Sequence, residues 1–206
     1  SVDLGGRRII KKKRDRWLET VSRKEGFGNR CRILGSEKGM DFMGQRFPSL
    51  SDKLMEFVKA QKIFFVATAT ERGRVNLSPK GSDSFRVLGP NKAIWLNLTG
   101  SGNETAAHLR IDPRMTVMFC AFDGAPMILR LYGIARAIHR NDPDWTEFVS
   151  YFPGNPGARQ VMEMHIDLVQ TSCGFSVPLF AYQGDRTMLD DWARNKGDEG
   201  VREYWA

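Results

Sequence analysis

About seven short β-type segments, several joined by turns of only a few residues, limit what this chain can become. The clearest is 161–169, where Met162, Met164, Ile166 and Leu168 alternate with Glu163, His165 and Asp167. A period of two places the apolar set on one face of an extended strand. Residues 63–70 read as a buried strand by their β-branched and aromatic content. The turn Glu71-Arg72-Gly73 leads into a returning strand over 74–78. Strands at 84–88 and 92–98 are joined by Gly89-Pro90-Asn91. Strands at 114–122 and 127–139 flank Asp123-Gly124, a hairpin signal, and Gly133 is a candidate bulge or bend.

Helical patterns sit between these strands. Ser51 can cap a helix ending near Gln61, with Leu54, Phe57 and Val58 on one face. A second helix follows Glu104 and stops before Pro113. A third starts at Asp142-Pro143 and runs through Phe152. Two amphipathic stretches, 186–195 and 199–205, close the chain, and Trp145, Trp192 and Trp205 lie on helices of this kind. Parallel strand–helix–strand alternation does not fit this order. Antiparallel pairing closed into a small barrel, mainly β with flanking helices, does.

Charge divides the chain. Residues 1–39 hold 12 Lys or Arg and 5 Asp or Glu, which accounts for the whole net charge of +7. The remaining residues carry 19 of each sign. A basic N-terminal extension, 1–39, and a globular domain, 40–206, are therefore expected. The extension reads as a solvated arm, a cloning remnant or, less readily given Asp15, Glu19 and Glu25, a transit peptide. Nucleic-acid binding through it is the less favoured role. Hydrophobic residues at 41% and charged residues at 27% read as a soluble domain. The absence of an apolar leader or spanning run, with three cysteines in no paired spacing, suggests a reduced cytoplasmic setting. His108, His139 and His165 match no zinc motif, so no metal is expected.

Three polar strips are candidate chemistry. Residues 98–105 join a strand to a helix through Gly100, Ser101, Gly102 and Asn103, a layout suited to a phosphate. Ser101-x-x-Glu104 is equally a capping box that needs no ligand. In Asn76-Leu77-Ser78-Pro79-Lys80-Gly81, Pro79 is expected to break the ladder, and Lys80 projects from a rim where it meets an anion or only water. The third strip, 170–178, could face a planar ring. Its Cys173 reads as a small buried thiol rather than a nucleophile, having no nearby histidine. Arg130 and Arg136 share a strand face, where a structural ion pair or an anion site would serve. No catalytic residue stands out, so reactivity is expected to come from a cofactor.

Four segments carry a family resemblance: FFVATATERGRVNLSPKG, SFRVLGPNKAIWLNLTGSGNETAAHLRIDPRMTVMFCAF, ILRLYGIARAI and VQTSCGFSVP. Over 41–204 the chain resembles the FMN-binding, pyridoxamine 5′-phosphate oxidase-like family. The resemblance implies a six-stranded antiparallel split β-barrel, a homodimer, and FMN in clefts between subunits. It implies a phosphate site at Ser78, Lys80, Ser101, Gly102, Asn103 and Thr105. It implies an isoalloxazine ring along Val75, Asn76 and Ser78 and at Thr99, with Ser172, Cys173 and Gly174 as a ring-side loop from the other subunit. The oxidases' Ser-Arg-Lys group is replaced here by Ser101-Gly102-Asn103-Glu104, and no Arg-Leu-x-Pro segment is present. The resemblance therefore implies flavin binding more firmly than oxidation of pyridoxamine 5′-phosphate. An FMN-dependent oxidoreductase of unknown substrate is the expected function. A non-catalytic flavin carrier or sensor is the first alternative, and nucleic-acid or anionic-partner binding through the arm is the second. Related split barrels also use haem or a deazaflavin.

Overall fold

A computed structural model describes residues 44–205, which lie in one compact unit of the chain, Phe42–Ala206. The basic arm expected at 1–39 is outside the described residues. Eight strands form one antiparallel sheet: β1 Arg46–Phe47, β2 Phe64–Thr68, β3 Asn76–Lys80, β4 Phe85–Gly89, β5 Lys92–Leu98, β6 Arg114–Cys120, β7 Ile128–His139 and β8 Ala158–Ser172. Among the described residues four helices accompany them: α1 Asp52–Ala60, α2 Glu104–Leu109, α3 Trp145–Val149 and α4 Met188–Trp205. The strand order is β3-β2-β6-β7-β8-β5-β4, with β1 added to β8. The class matches the sequence expectation, but the count is eight rather than six.

The sheet rolls without closing, since β3 and β4 stand at opposite ends of the pairing path. Side chains nonetheless meet across that seam. The Phe64 ring on β2 lies 4.9 Å from Phe85 on β4, and Phe119 on β6 lies 5.1 Å from Phe85. Trp95 on β5 packs 6.1 Å from Phe64. These rings join Val66, Val117, Leu129, Leu131, Met162 and Met164 in one interior core. Helix α1 covers one end with Leu54 and Val58. Ser51 caps it by accepting from the Leu54 amide at 3.4 Å. A smaller core lies on the outer face, where Phe148 and Phe152 cover Ile94, Leu96, Ile138 and Val161.

Some local expectations change and others hold. Pro79 does not end its strand: β3 runs to Lys80, with Pro79 opposite Phe65. This is possible because β3 is an edge strand, where a missing N–H costs no ladder bond. Helix α2 spans six residues and stops at Leu109, short of Pro113. The amides of Ile111 and Asp112 both turn back to the His108 carbonyl. Helix α3 begins at Trp145, and the Asp142 carboxylate accepts from the His139 amide at 2.8 Å instead of capping it. Helix α4 breaks at Gly197, whose φ of 70° separates the two expected helices. Cys173 is exposed, not buried. Gln170, Thr171 and Ser172 are strand, not loop, because β8 continues beside β7 to Ser172. Arg136 takes the structural role, donating to Glu163 at 2.6 Å and to Asp144 at 2.8 Å.

Candidate functional site

Alternation on β3 turns Asn76, Ser78 and Lys80 to the half-buried side, while Leu77 and Pro79 face outward. Asn76 links this strand to α2. Its Nδ2 donates to Thr105 Oγ1 at 3.0 Å and to Thr68 Oγ1 at 3.3 Å, and its Oδ1 accepts from Ser78 Oγ at 3.0 Å. Thr68 Oγ1 in turn lies 3.1 Å from His108 Nδ1. Both amide hydrogens of Asn76 are thus used inside the protein, which makes it a strut more than a ligand donor.

Lys80 lies at the end of the same face. Its Nζ stands 5.3 Å from the centre of the Trp95 ring. Burial pushes this ammonium below the ordinary lysine range, and the Glu104 carboxylate partly offsets the effect. No carboxylate pairs directly with it among the described residues. Trp95 Nε1 is a buried donor without a hydrogen-bond partner. Glu104 folds back over Gly102, so that a Cβ at Gly102 would stand 2.5 Å from Glu104 Oε2. Strand β3 and the 101–105 junction are thus joined by the Asn76–Thr105 hydrogen bond.

The junction itself differs from the capping-box reading. Asn103, not Ser101, is the residue before α2, and its side chain makes no capping bond. Ser101 is exposed, and Glu104 occupies the first helical position rather than the third. With under two turns behind it, the α2 dipole adds little to anion binding. Asn103 is fixed from below: Asn97 Nδ2 donates to Asn103 Oδ1 at 3.3 Å and to Gln160 Oε1 at 3.0 Å. Thr99 is buried and engaged elsewhere. Its hydroxyl donates to the Gly157 carbonyl at 2.9 Å and accepts from Trp205 Nε1 at 3.1 Å. Val75 precedes β3 and is exposed.

The strip at Ser172, Cys173 and Gly174 belongs to another part of the sheet. Ser172 pairs with Ile128 and accepts from Arg130 Nη1 at 3.2 Å. Gly174, with φ 68°, is buried against the Met127 backbone, where a side chain has no room. Strands β2, β6 and β7 lie between β8 and β3 in the pairing order. No hydrogen bond or ion pair connects this strip with Lys80 or with the 101–105 junction among the described residues.

Sequence reasoning missed Thr68, Asn97 and His108. The signal for Asn97 was an amide inside an otherwise apolar strand, which must find partners when buried. The signal for His108 was its spacing three residues after Thr105, on the same helix face. A separate cavity of about 280 Å³ opens between α1 and β4, over Phe64, Phe85 and Phe119. None of the sequence-predicted site residues lines it.

The rolled, unclosed antiparallel sheet with its seam and flanking helices is a split barrel. The chain belongs to the pyridoxamine 5′-phosphate oxidase family, whose model matches residues 50–173. It is 46% identical over 138 residues to the pyridoxamine 5′-phosphate oxidase family protein ustO of Aspergillus flavus, a match covering 65% of this chain and 55% of that protein. The chain thus spans about half the length of this curated relative. Solved structures with similar folds include a putative pyridoxamine 5′-phosphate oxidase from Lactobacillus delbrueckii, with 18% identity and a TM-score of 0.47, covering 60% of this chain and 94% of that one. An FAD-binding protein from Mycobacterium smegmatis gives 14% and 0.43, covering 61% and 96%. The haem storage protein HutZ from Vibrio cholerae gives 17% and 0.41, covering 56% and 90%. No helix among the described residues is long and apolar enough to cross a membrane.

Proposed function

We propose that the chain binds FMN and acts as a flavin-dependent oxidoreductase on a small molecule. What supports this reading is Lys80, an ammonium without an ion pair among the described residues, on a strand that Asn76 ties to Thr105 of the 101–105 junction. An ammonium held partly out of water is costly unless an anion completes it. Donors that suit a phosphate monoester are Lys80 Nζ, the exposed Ser101 hydroxyl and the backbone left open at Gly100. When bound, the flavin would supply the electron-transfer chemistry. The protein's part is to anchor the phosphate, to hold β3 rigid through Asn76, and to offer the exposed Val75 and Leu77 to a flat apolar partner. We further propose a homodimer in which Ser172, Cys173 and Gly174 of the second copy reach this cleft, since within one copy they lie across the sheet from it.

Purified protein should carry a flavin absorption spectrum, or quench added FMN fluorescence, and denaturation should release FMN by mass. A colourless protein that leaves FMN fluorescence unchanged removes the reading. Lys80 supplies a sharper test, because its two effects have opposite signs. Lys80→Met should weaken FMN binding by about tenfold or more, as loss of a charge-assisted contact. The same change should raise the melting temperature of the flavin-free protein by about 2–4 °C, since it removes a partly desolvated charge. An unchanged dissociation constant would take Lys80 out of the site.

A non-catalytic flavin carrier is the second reading. It is favoured by the mutual hydrogen bonding of Asn76, Thr68, Thr105 and His108, which occupies the polar groups that could otherwise move protons. Rapid reduction of the bound flavin by NADH or NADPH would rule it out.

A further inference from the structure

We infer that the cavity between α1 and β4 is a second ligand site, and that it takes a small aromatic carboxylate. The inference does not depend on the flavin reading, because no residue assigned to the flavin lines this cavity. The seam of the barrel makes the space. β4 pairs with β5 on one side, and among the described residues no strand covers its other edge. Helix α1 and the loop 81–84 wall the opening that results. Its floor is aromatic. Phe85 meets Phe64 at 63° and Phe119 at 81°, both edge to face, with ring centres 4.9 and 5.1 Å apart. Phe64 and Phe119 are buried, while Phe85 keeps part of its surface free. A flat ring can extend such a cluster by the same edge-to-face packing. At about 280 Å³ the cavity lies near the lower bound for small-molecule sites, roughly 300 Å³, so one ring with a short substituent is the size it admits.

The mouth selects the charge. Lys59, Lys62, Asp83 and Arg86 are the charged side chains that line it. Two of them cancel, since Arg86 holds the Asp83 carboxylate with Nη1 and Nη2, both at 2.9 Å. Lys59 Nζ is matched by Glu56 at 2.7 Å, one turn back on α1. Lys62 is left. Among the described residues its Nζ makes no ion pair, and its neighbour is the exposed Tyr182 ring, 5.7 Å away at the centre. The Tyr182 hydroxyl bonds Asp185, which engages that carboxylate elsewhere. The backbone holds Lys62 at the mouth, because a Cβ on Gly81 would stand 3.3 Å from the Lys62 carbonyl oxygen. An apolar floor below one spare positive charge fits a ligand that is apolar at one end and singly negative at the other. A carboxylate carries one charge at neutral pH, whereas a phosphate monoester carries roughly −1.5 to −2. An ammonium would meet Lys62 with like charge.

The test uses the full chain and three single-ring probes: benzoate, benzyl alcohol and benzylammonium. Ring resonances of phenylalanine-labelled protein report the place, and their titration gives the dissociation constants. Benzoate should shift Phe64, Phe85 and Phe119 and leave Phe148 of the outer core unmoved. It should bind about fivefold tighter than benzyl alcohol, the upper range for one exposed charge contact, and tighter still than benzylammonium. Lys62→Met should bring benzoate and benzyl alcohol within about twofold of each other, with shifts at the same three rings. Lys62→Glu should reverse the order and put benzylammonium about fivefold ahead of benzoate. Lys62 is exposed, so neither change disturbs the core. If the three rings stay unmoved with every probe, the cavity takes no ligand of this kind. Equal binding of the probes to the wild-type protein, or an order untouched by Lys62→Glu, would remove the charge selection and the assignment with it. None of these results bears on flavin binding, which is read separately by FMN fluorescence.

Discussion

Gly133→Ala should lower the urea midpoint enough to remove on the order of 3 kcal/mol or more of stability, at the upper end for overpacking. The cause is a backbone contact. Along β7, Leu129, Leu131, Ala135 and Ala137 face the interior, and Gly133 falls in that row. On β8 the register jumps: Tyr132 pairs with Leu168, but Gly133 pairs with Ile166. Asp167 is the extra residue, and the bulge presses the His165 carbonyl onto Gly133, where a Cβ would collide with it. A side chain elsewhere in the core could repack, but here the obstacle is main chain on both sides. The bulge is also tied from outside, since the Ile166 amide donates to the Asn91 carbonyl at 2.8 Å and Asn91 Nδ2 donates to the Ile166 carbonyl at 2.8 Å. Neither half can shift without breaking that latch. A Gly133→Ala protein with an unchanged midpoint and unchanged slope would show that the pair relaxes freely, and the argument would be lost.

That bulge also marks where the sequence stopped being legible. The alternation at 161–169 implied that Leu168 continues the buried row of Met162, Met164 and Ile166. In the structure Val169 is the buried residue and Leu168 is only half-buried, because one extra residue reverses the phase of the strand. Period and composition cannot reveal such a slip, which depends on the partner strand. Features governed by near neighbours were readable: the Ser51 cap, the Gly89-Pro90-Asn91 turn and the division of the last helix near Gly197. The strand status of Pro79 was not, because it rests on β3 being an edge. In the candidate site the same boundary holds. The pairing of Lys80 with the 101–105 junction was an expectation of the resemblance; the bond that the structure holds there, Asn76 to Thr105, was not legible in the residues alone. Thr99 looked available beside a glycine loop, yet its hydroxyl is taken by Trp205, 106 residues later. Asn76 looked like a ligand donor until its partners on β2, β3 and α2 were in place.

Breaking the ion network on the outer face should be the other large loss. Glu163 is nearly fully buried and touches Lys92 Nζ at 2.8 Å and Arg136 Nε at 2.6 Å, while Arg136 also reaches Asp144 at 2.8 Å. Burial alone would lower the Arg136 guanidinium, but Glu163 and Asp144 outweigh it and hold the group above its ordinary range. The network sits beside the smaller core, with Lys92 lying 4.9 Å over the Phe148 ring, so water has little access to replace a lost partner. Arg136→Met should therefore cost about 3 kcal/mol, the low end for a buried carboxylate losing a partner, because Lys92 remains and the Arg136 side chain keeps 25% of its surface exposed. Adding Glu163→Leu should return part of that loss. With the buried charge gone, an apolar pair can occupy the gap between β7 and β8, and the two changes should be coupled by about 1–3 kcal/mol. Urea unfolding of the two single variants and the double variant measures the coupling. Strict additivity would mean that Glu163 is compensated by Lys92 alone and that Arg136 serves only Asp144.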